Sequence, residues 1–272
     1  MSYFFGSSAP VEEIPLIPVS TKPICTNVFN SEKTNEAVSA DFVVKIEQKI
    51  EELKGHLTSN PSEWENFFTE KGVNGVRKFV EGKDLAIIRS ETVMPFHIVD
   101  IFDFLDNSAN APLMDSMVNQ IKVLKRSSVH TWVSCTTLHG QWPVISPREF
   151  VEFNHWKMME DGSVLYFRFS EKFDDLKPEN ADAVRGNTCI IGYLLRPTED
   201  GSATDVSMIF DSSPCGDLPS VLVNQAMLNQ PGSLSILRDN MVKLVDAGKA
   251  RDVTEPARYE DFVAVINKNA AL

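Results

Sequence analysis

Cysteine is scarce: Cys25, Cys135, Cys189 and Cys215 are the only four in 272 residues, and no two form a C-x-x-C pair. A secreted disulfide scaffold is smaller and far denser in cysteine, so these read as reduced thiols in a cytoplasmic protein. Positive charge is scarce too. The chain has 26 Lys and Arg against 38 Asp and Glu, a net charge of −12 and a pI near 4.9. A protein that tracks a phosphate backbone needs a basic face, so no nucleic-acid partner is expected. Attachment to anionic lipid by overall charge is excluded on the same ground, although a local basic patch can still serve. No apolar run reaches the length of about 18 residues that a membrane-spanning helix requires. Met1-Ser2-Tyr3-Phe4-Phe5 lacks the basic region and apolar length of a signal peptide. Ser2 excludes N-myristoylation, and Lys268-Asn269-Ala270-Ala271-Leu272 is not a prenylation box.

Signatures of catalysis are also missing. No phosphate-cradling G-x-x-x-x-G-K-[ST] and no G-x-G-x-x-G after a strand occurs, nor a G-x-S-x-G elbow or an H-E-x-x-H. His56, His97, His130, His139 and His155 never fall at a metal-ligand spacing with each other or with cysteine. His130 and His155 sit on adjacent predicted strands and read as a structural pair. No catalytic residue, metal ligand or cofactor is expected, and the chain reads as a binding module, not an enzyme.

What the chain does contain is helical and strand patterns grouped in separate runs. Residues 1–38 carry Pro10, Pro15, Pro18 and Pro23 without sustained apolar period and read as an extended or disordered tail. From Ser39 or Asp41, Ile46, Ile50, Leu53 and Leu57 recur at spacings of 4, 3 and 4, which predicts an amphipathic helix. A second short helix is predicted over Ser62–Lys71, with Trp64, Phe67 and Phe68 packing. Val73–Val80 and Leu85–Met94 read as a strand pair, and Pro95 opens a helix with Ile98, Ile101, Phe102 and Leu105 on one face. Pro112 to about Gln120 reads as helical. Six strands follow at about Ile121–Lys125, Val129–Leu138, Arg148–Met159, Val164–Ser170, Thr188–Arg196 and Thr204–Phe210, with Asp161-Gly162 and Asp200-Gly201 as turn signals. The connections 138–147 and 171–185 are long. A C-terminal helix starts at Pro219, breaks at Pro231-Gly232 and resumes through Leu234, Leu237, Met241 and Leu244, before an extension at 249–272 with a short helix at Tyr259–Val265. Strands segregated from helices mean an α+β domain, residues 39–248. Periodicity does not say whether its interior is filled or hollow.

From Trp64 to Gly248 the chain resembles the START domain, the lipid-transfer family related to steroidogenic acute regulatory protein. Ser146-Pro147-Arg148-Glu149-Phe150-Val151 is similar to the family's S-P-R-D-F-V. Trp156-Lys157 with Asp161-Gly162-Ser163, then Ser170, Val184-Arg185-Gly186 and Gly192 follow in the family's order. Asp211, Gly216-Asp217-Leu218-Pro219 and Leu222-Val223-Asn224 resemble its D-x-x-G-x-L-P…N opening of the last helix. Departures accompany them. Met114-Asp115 stands for W-D, Glu149 for aspartate, and the Asp211–Gly216 loop is two residues longer. The sterol-binding subgroup pairs an arginine with a buried glutamate; those positions fall here at Asn154 and about Cys135, which makes a sterol the less favoured cargo.

The resemblance implies a helix-grip fold, a curved antiparallel sheet gripping the C-terminal helix around a tunnel for one lipid, phospholipid or other. It implies a soluble monomer that carries lipid and touches membranes transiently. Cys135, Asn154 and Arg185 become head-group candidates, although Arg148 and Arg185 also suit structural anchoring, since an arginine in an apolar wall needs a paired anion. Leu222, Met227, Leu234 and Met241 become the inner face of a lid whose weak point is Asn229-Gln230-Pro231-Gly232, and Trp142 a membrane anchor. The alternative is a lipid-responsive sensor that reaches a protein partner through the proline-rich tail.

Overall fold

The fold is described from a computed structural model that covers residues 40–127, 130–140, 145–159, 161–198, 203–218 and 220–246. The expectations for the tail, Trp142, Pro219 and 249–272 lie outside the described residues, as does the side chain of Leu244. Helix α1 (Ala40–Thr58) forms where the apolar stripe predicts it, and buries Ile46, Ile50 and Leu53. Next come strands β1 (Glu65–Glu70), β2 (Val73–Lys78) and β3 (Ile87–Met94), helix α2 (Ile98–Asp106) and the single-turn α3 (Ala111–Met114). Strands β4 (Val118–Arg126), β5 (Thr131–Leu138), β6 (Arg148–Met158), β7 (Val164–Ser170), β8 (Val184–Arg185), β9 (Asn187–Pro197) and β10 (Thr204–Ser213) follow, then α4 (Ser220–Asn229) and α5 (Gly232–Asp246). The strands form one sheet in the order β1-β2-β3-β10-β9-β7-β6-β5-β4, antiparallel throughout, with β8 added parallel to β6. This is the α+β class that the segregated pattern predicts.

Two predicted helices are corrected. Residues 62–71 do not make a helix: Pro61–Glu63 is one 3-10 turn capped by the Asn60 side chain, and β1 follows. The deciding residues are Lys71 and Gly72, both at positive φ (50° and 70°), which close a tight hairpin onto β2. The second helix, 112–120, stops after one turn. The Asp115 carboxylate accepts from the Met117 amide at 2.8 Å, and the chain extends into β4 from Val118.

The alternation of side chains across the sheet builds two separate apolar layers. On one face α1 covers Val133, Cys135, Val151, Phe153, Leu165, Phe167 and their neighbours. It packs tightly on Gly192 of β9, where a Cβ would stand 2.8 Å from a Leu53 methyl, so a larger residue there would lift the helix. The other face carries Met94, Trp132, Trp156, Tyr166, Val206 and Met208, met by Phe102 of α2 and by Leu234, Leu237 and Met241 of α5. That face is not flat. Strands β4 and β10 are five neighbours apart, about 24 Å across a flat sheet. Yet Val123 of β4 and Met208 of β10 wall one cavity, so the sheet curls around it.

Candidate functional site

Inside the curl lie two adjoining chambers, of about 140 Å³ and about 170 Å³. They share the walls made by Asp115, Val118, Arg168, Ile191, Phe210 and Gln230. The first lies toward α2 and α3 and is the more polar, with Arg126, Asn154, Tyr166 and Tyr193 in its lining. The second lies under α4 and is mostly apolar, with Leu138, Ile145, Phe150, Val223, Ala226 and Met227 in its lining.

At the junction stand two charged side chains on neighbouring strands. Glu152 of β6 is buried, and both its oxygens are occupied: Oε2 accepts from Thr136 Oγ1 at 2.9 Å, and Oε1 from Thr188 Oγ1 at 2.8 Å. Arg168 of β7 places its Nε 3.5 Å from Glu152 Oε1, an ion pair without a hydrogen bond. Burial is the largest single influence and works against the arginine's charge, but Glu152, Tyr166, Tyr193 and Asp115 together outweigh it and raise the Arg168 pKa, so the guanidinium stays protonated. About a quarter of its side chain (24%) is accessible, and it lines both chambers. Burial raises the Tyr166 and Tyr193 pKa values as well, which keeps both phenols neutral donors.

The residues singled out from sequence are not all brought together. Asn154 lines the polar chamber and is fixed there by its amide, which donates to Ser134 Oγ at 2.9 Å and to the Glu152 carbonyl at 3.0 Å. Met227 lines the apolar chamber. Cys135 requires a correction. On β5 the even-numbered Trp132 and Thr136 face the chambers, so the odd-numbered Cys135 points the other way, into the layer under α1. Arg185 also lies off the cavity. Its Nη2 bonds Glu149 Oε1 at 2.8 Å and the Lys177 carbonyl at 3.0 Å, and Glu149 is further paired with Lys177. Leu234 and Met241 are buried against α2 and the sheet and not in the chamber walls. The backbone of Leu222 lies in α4, but its side chain is outside the described set. Glu152 and Arg168 were not anticipated. The signal that reveals them is parity, since each shares a strand face with a cavity residue two positions away.

The helical segment over the cavity has two unequal halves. In α5, Leu234, Leu237 and Met241 are buried, Arg238 Nη1 bonds the Lys71 carbonyl at 2.8 Å, and Asn240 bonds the Leu113 carbonyl at 2.8 Å. Between the halves Pro231 is buried on Gly75 of β2, where a Cβ would meet the prolyl Cγ at 2.6 Å. In α4, Val223, Ala226 and Met227 face the apolar chamber. Arg148 closes the far end. Its guanidinium donates to the carbonyls of Ser146, Pro214 and Cys215, tying the 138–147 connection to the approach to α4.

A family model described as the START domain matches residues 46–231, from within α1 to the break before α5. Among solved structures, human StAR-related lipid transfer protein 5 is similar at a TM-score of 0.65 and 19% identity, over 77% of this chain and 99% of that one. Human STARD10 gives 0.64 and 17%, over 78% and 83%. A STAR-related lipid transfer protein fragment from Xanthomonas axonopodis gives 0.56 and 25%, over 65% and 98%. The shared architecture is the antiparallel sheet with helices laid against it. A comparison with curated protein sequences finds no match.

Proposed function

Since this chain belongs to the START domain family, we propose that its cavity holds one lipid molecule and that the protein carries this lipid between membranes. The observation that carries the reading is the hollow interior itself: an apolar chamber under α4 beside a smaller polar one, with a protonated arginine in the wall they share. Such a pair of chambers suits an amphipathic molecule, tails against Phe150, Val223 and Met227, and polar end near Arg168. The names of human StAR-related lipid transfer protein 5 and of the Xanthomonas fragment describe those proteins as lipid transfer proteins, in support of the same role.

The function is binding, with no bond made or broken in the cargo. Apolar walls substitute for the bilayer interior at about 25 cal/mol per Å² of surface kept from water. Entry requires part of the cover to move. The pinned side chains of α5 make it a fixed wall, so α4 is the moving part, turning about the Gln230–Gly232 break. Trp142, which the sequence places within the 138–147 connection, is proposed as the contact with the membrane interface during exchange. The experiment is direct. The full chain is incubated with liposomes of mixed composition, re-isolated and weighed by native mass spectrometry, then tested for transfer of labelled lipid from donor to acceptor vesicles. One lipid per protein and catalysed transfer are expected. Absence of any stoichiometric lipid, from every mixture, overturns the carrier reading.

A further inference from the structure

The geometry points to Arg168 as the anchor for an oxyanion on the cargo, a phosphate or a carboxylate, with Glu152 as the residue that holds Arg168 in place. This rests on the carrier reading above and names the class of lipid it serves. A guanidinium has five N–H donors. Among the described residues the Arg168 side chain makes no hydrogen bond. Its Nε is sealed from water with no partner, and its single ionic neighbour stands at 3.5 Å. A buried donor left unused is costly unless something arrives to accept from it. Glu152 does not play that part: its Oε1 stands 3.5 Å from Nε without a hydrogen bond, and its two oxygens accept from the hydroxyls of Thr136 and Thr188. Clamped by two hydroxyls, the carboxylate is a fixed point that orients the arginine by charge, while part of the guanidinium side chain stays accessible in both chambers.

The surrounding charge favours an anion. Arg148, only 5% exposed, lines the apolar chamber and has no carboxylate within ion-pair distance among the described residues. Arg126 lines the polar chamber, stacks over Trp132 at 4.5 Å, and has a buried Nη1 without a hydrogen bond. Three guanidinium groups thus line the interior of a protein whose overall charge is −12. The acids there are otherwise engaged. Asp115 caps its own turn through the Met117 amide, Asp106 lies in the field of Arg126, and Glu152 is held as described. The phenols of Tyr166 and Tyr193 line the same chamber as Arg168 and add neutral donors to it. Donors outnumber free acceptors, so the complementary head group is one made of acceptors. Phosphate and carboxylate oxygens meet that condition, and both form paired bonds to a guanidinium.

The test uses the full chain and four probes delivered from the same maltoside micelle: dioleoylphosphatidic acid, oleate, diolein and cholesterol. After re-isolation, native mass spectrometry gives the fraction loaded with each. The wild-type protein is expected to load phosphatidic acid or oleate in preference to both neutral lipids, and which of the two leads identifies the oxyanion's source. Arg168→Met combined with Glu152→Gln, which leaves no orphaned charge, is expected to lose that preference by roughly tenfold to hundredfold, as a charge-assisted hydrogen bond implies. Arg168→Lys is expected to fall between them, since it keeps the charge and loses the fork. Preferential loading of diolein or cholesterol by the wild type overturns the inference without any variant. So does undiminished selectivity in a double variant whose thermal melt is intact. Loading of none of the four, by any form of the protein, tells against the carrier reading instead.

Discussion

Replacing Gly75 by alanine tests whether the junction between α4 and α5 is seated where the structure puts it. The added Cβ would lie 2.6 Å from Pro231 Cγ, 2.9 Å from Pro231 Cβ and 2.9 Å from Phe68 Cβ. All three are closer than carbon atoms tolerate, and none belongs to the free end of a flexible chain. Overpacking of this kind costs about 1–3 kcal/mol. Alanine recovers about 0.5–1 kcal/mol of that, because glycine is the poorer residue inside a strand. The expected balance is a loss of about 1 kcal/mol, read as a fall in Tm of about 2–4 °C for a domain of this size. The same clash pushes Pro231 off β2 and loosens the pivot of α4, so vesicle-to-vesicle lipid transfer should become faster while the protein becomes less stable. Pro231→Ala, added to Gly75→Ala, removes the 2.6 Å contact and should restore part of the lost Tm. Thermal melts by circular dichroism and a fluorescent-lipid transfer assay supply the two readings. An unchanged Tm, or a double variant that sums the two single effects with no rescue, would refute the seating of Pro231 on Gly75 and with it the pivot.

Four further outcomes follow from the structure. Leu53→Ala, at a fully buried position between α1 and β9, should cost about 2–5 kcal/mol in urea denaturation. His155 has its pKa lowered to about 3 by burial, with smaller effects from His130 and Lys157. The unfolded chain therefore takes up a proton near pH 6.5 that the folded chain refuses, and stability should fall as pH drops from about 6.5 toward 3, by at most about 1.4 kcal/mol per pH unit. His155→Gln should remove that part of the slope in urea titrations run across the window. Burial pushes the Glu149 carboxyl up, but the bonds and charges of Lys177 and Arg185 outweigh it and hold the group below its usual range. Its contribution is thus present above the ordinary glutamate range and lost as pH falls through the lower folded value, so the Tm difference between wild type and Glu149→Gln should be clear at pH 7 and shrink in acid. Hydrogen exchange should be faster through α4 than through α5, and equal protection of the two halves would contradict the division between moving and fixed cover.

Much of the architecture was legible in the sequence because its signals are local. The stripe Ile46, Ile50, Leu53 predicts α1, and the break at Pro231-Gly232 falls between α4 and α5. The order of motifs from Ser146 to Asn224 anticipated the family. What failed locally did so for nameable reasons. Trp64, Phe67 and Phe68 look like a helical cluster until Lys71-Gly72 is recognised as a hairpin turn. A proline opening Pro112–Gln120 suggested a helix that the Asp115 side chain cuts short. The site was less legible because it is assembled across strands. Arg168 and Glu152 are separated by sixteen positions, and only the β6–β7 register, in which Glu152 lies opposite Ser170, brings them near. Cys135 falls at the family's glutamate position by sequence count, but its place on the β5 pleat puts it on the far face.

The single sheet divides this protein's mutational future by odd and even. Along β5, β6 and β7 the even-numbered residues Trp132, Thr136, Glu152, Asn154, Tyr166 and Arg168 look into the chambers. Their odd-numbered neighbours Val133, Val151, Phe153, Leu165 and Phe167 are sealed beneath α1. Along β9 the assignment inverts, with Ile191 and Tyr193 inward and Ile190 and Leu194 beneath the helix. With the chambers as the lipid site we propose, the residues that meet the cargo and those that pack under α1 alternate along the same strands. On that reading a lineage can exchange chamber-facing residues to accept a new molecule while the layer under α1 stays unchanged. Directed evolution of a new specificity should therefore draw its substitutions from one parity per strand, and losses of expression from the other.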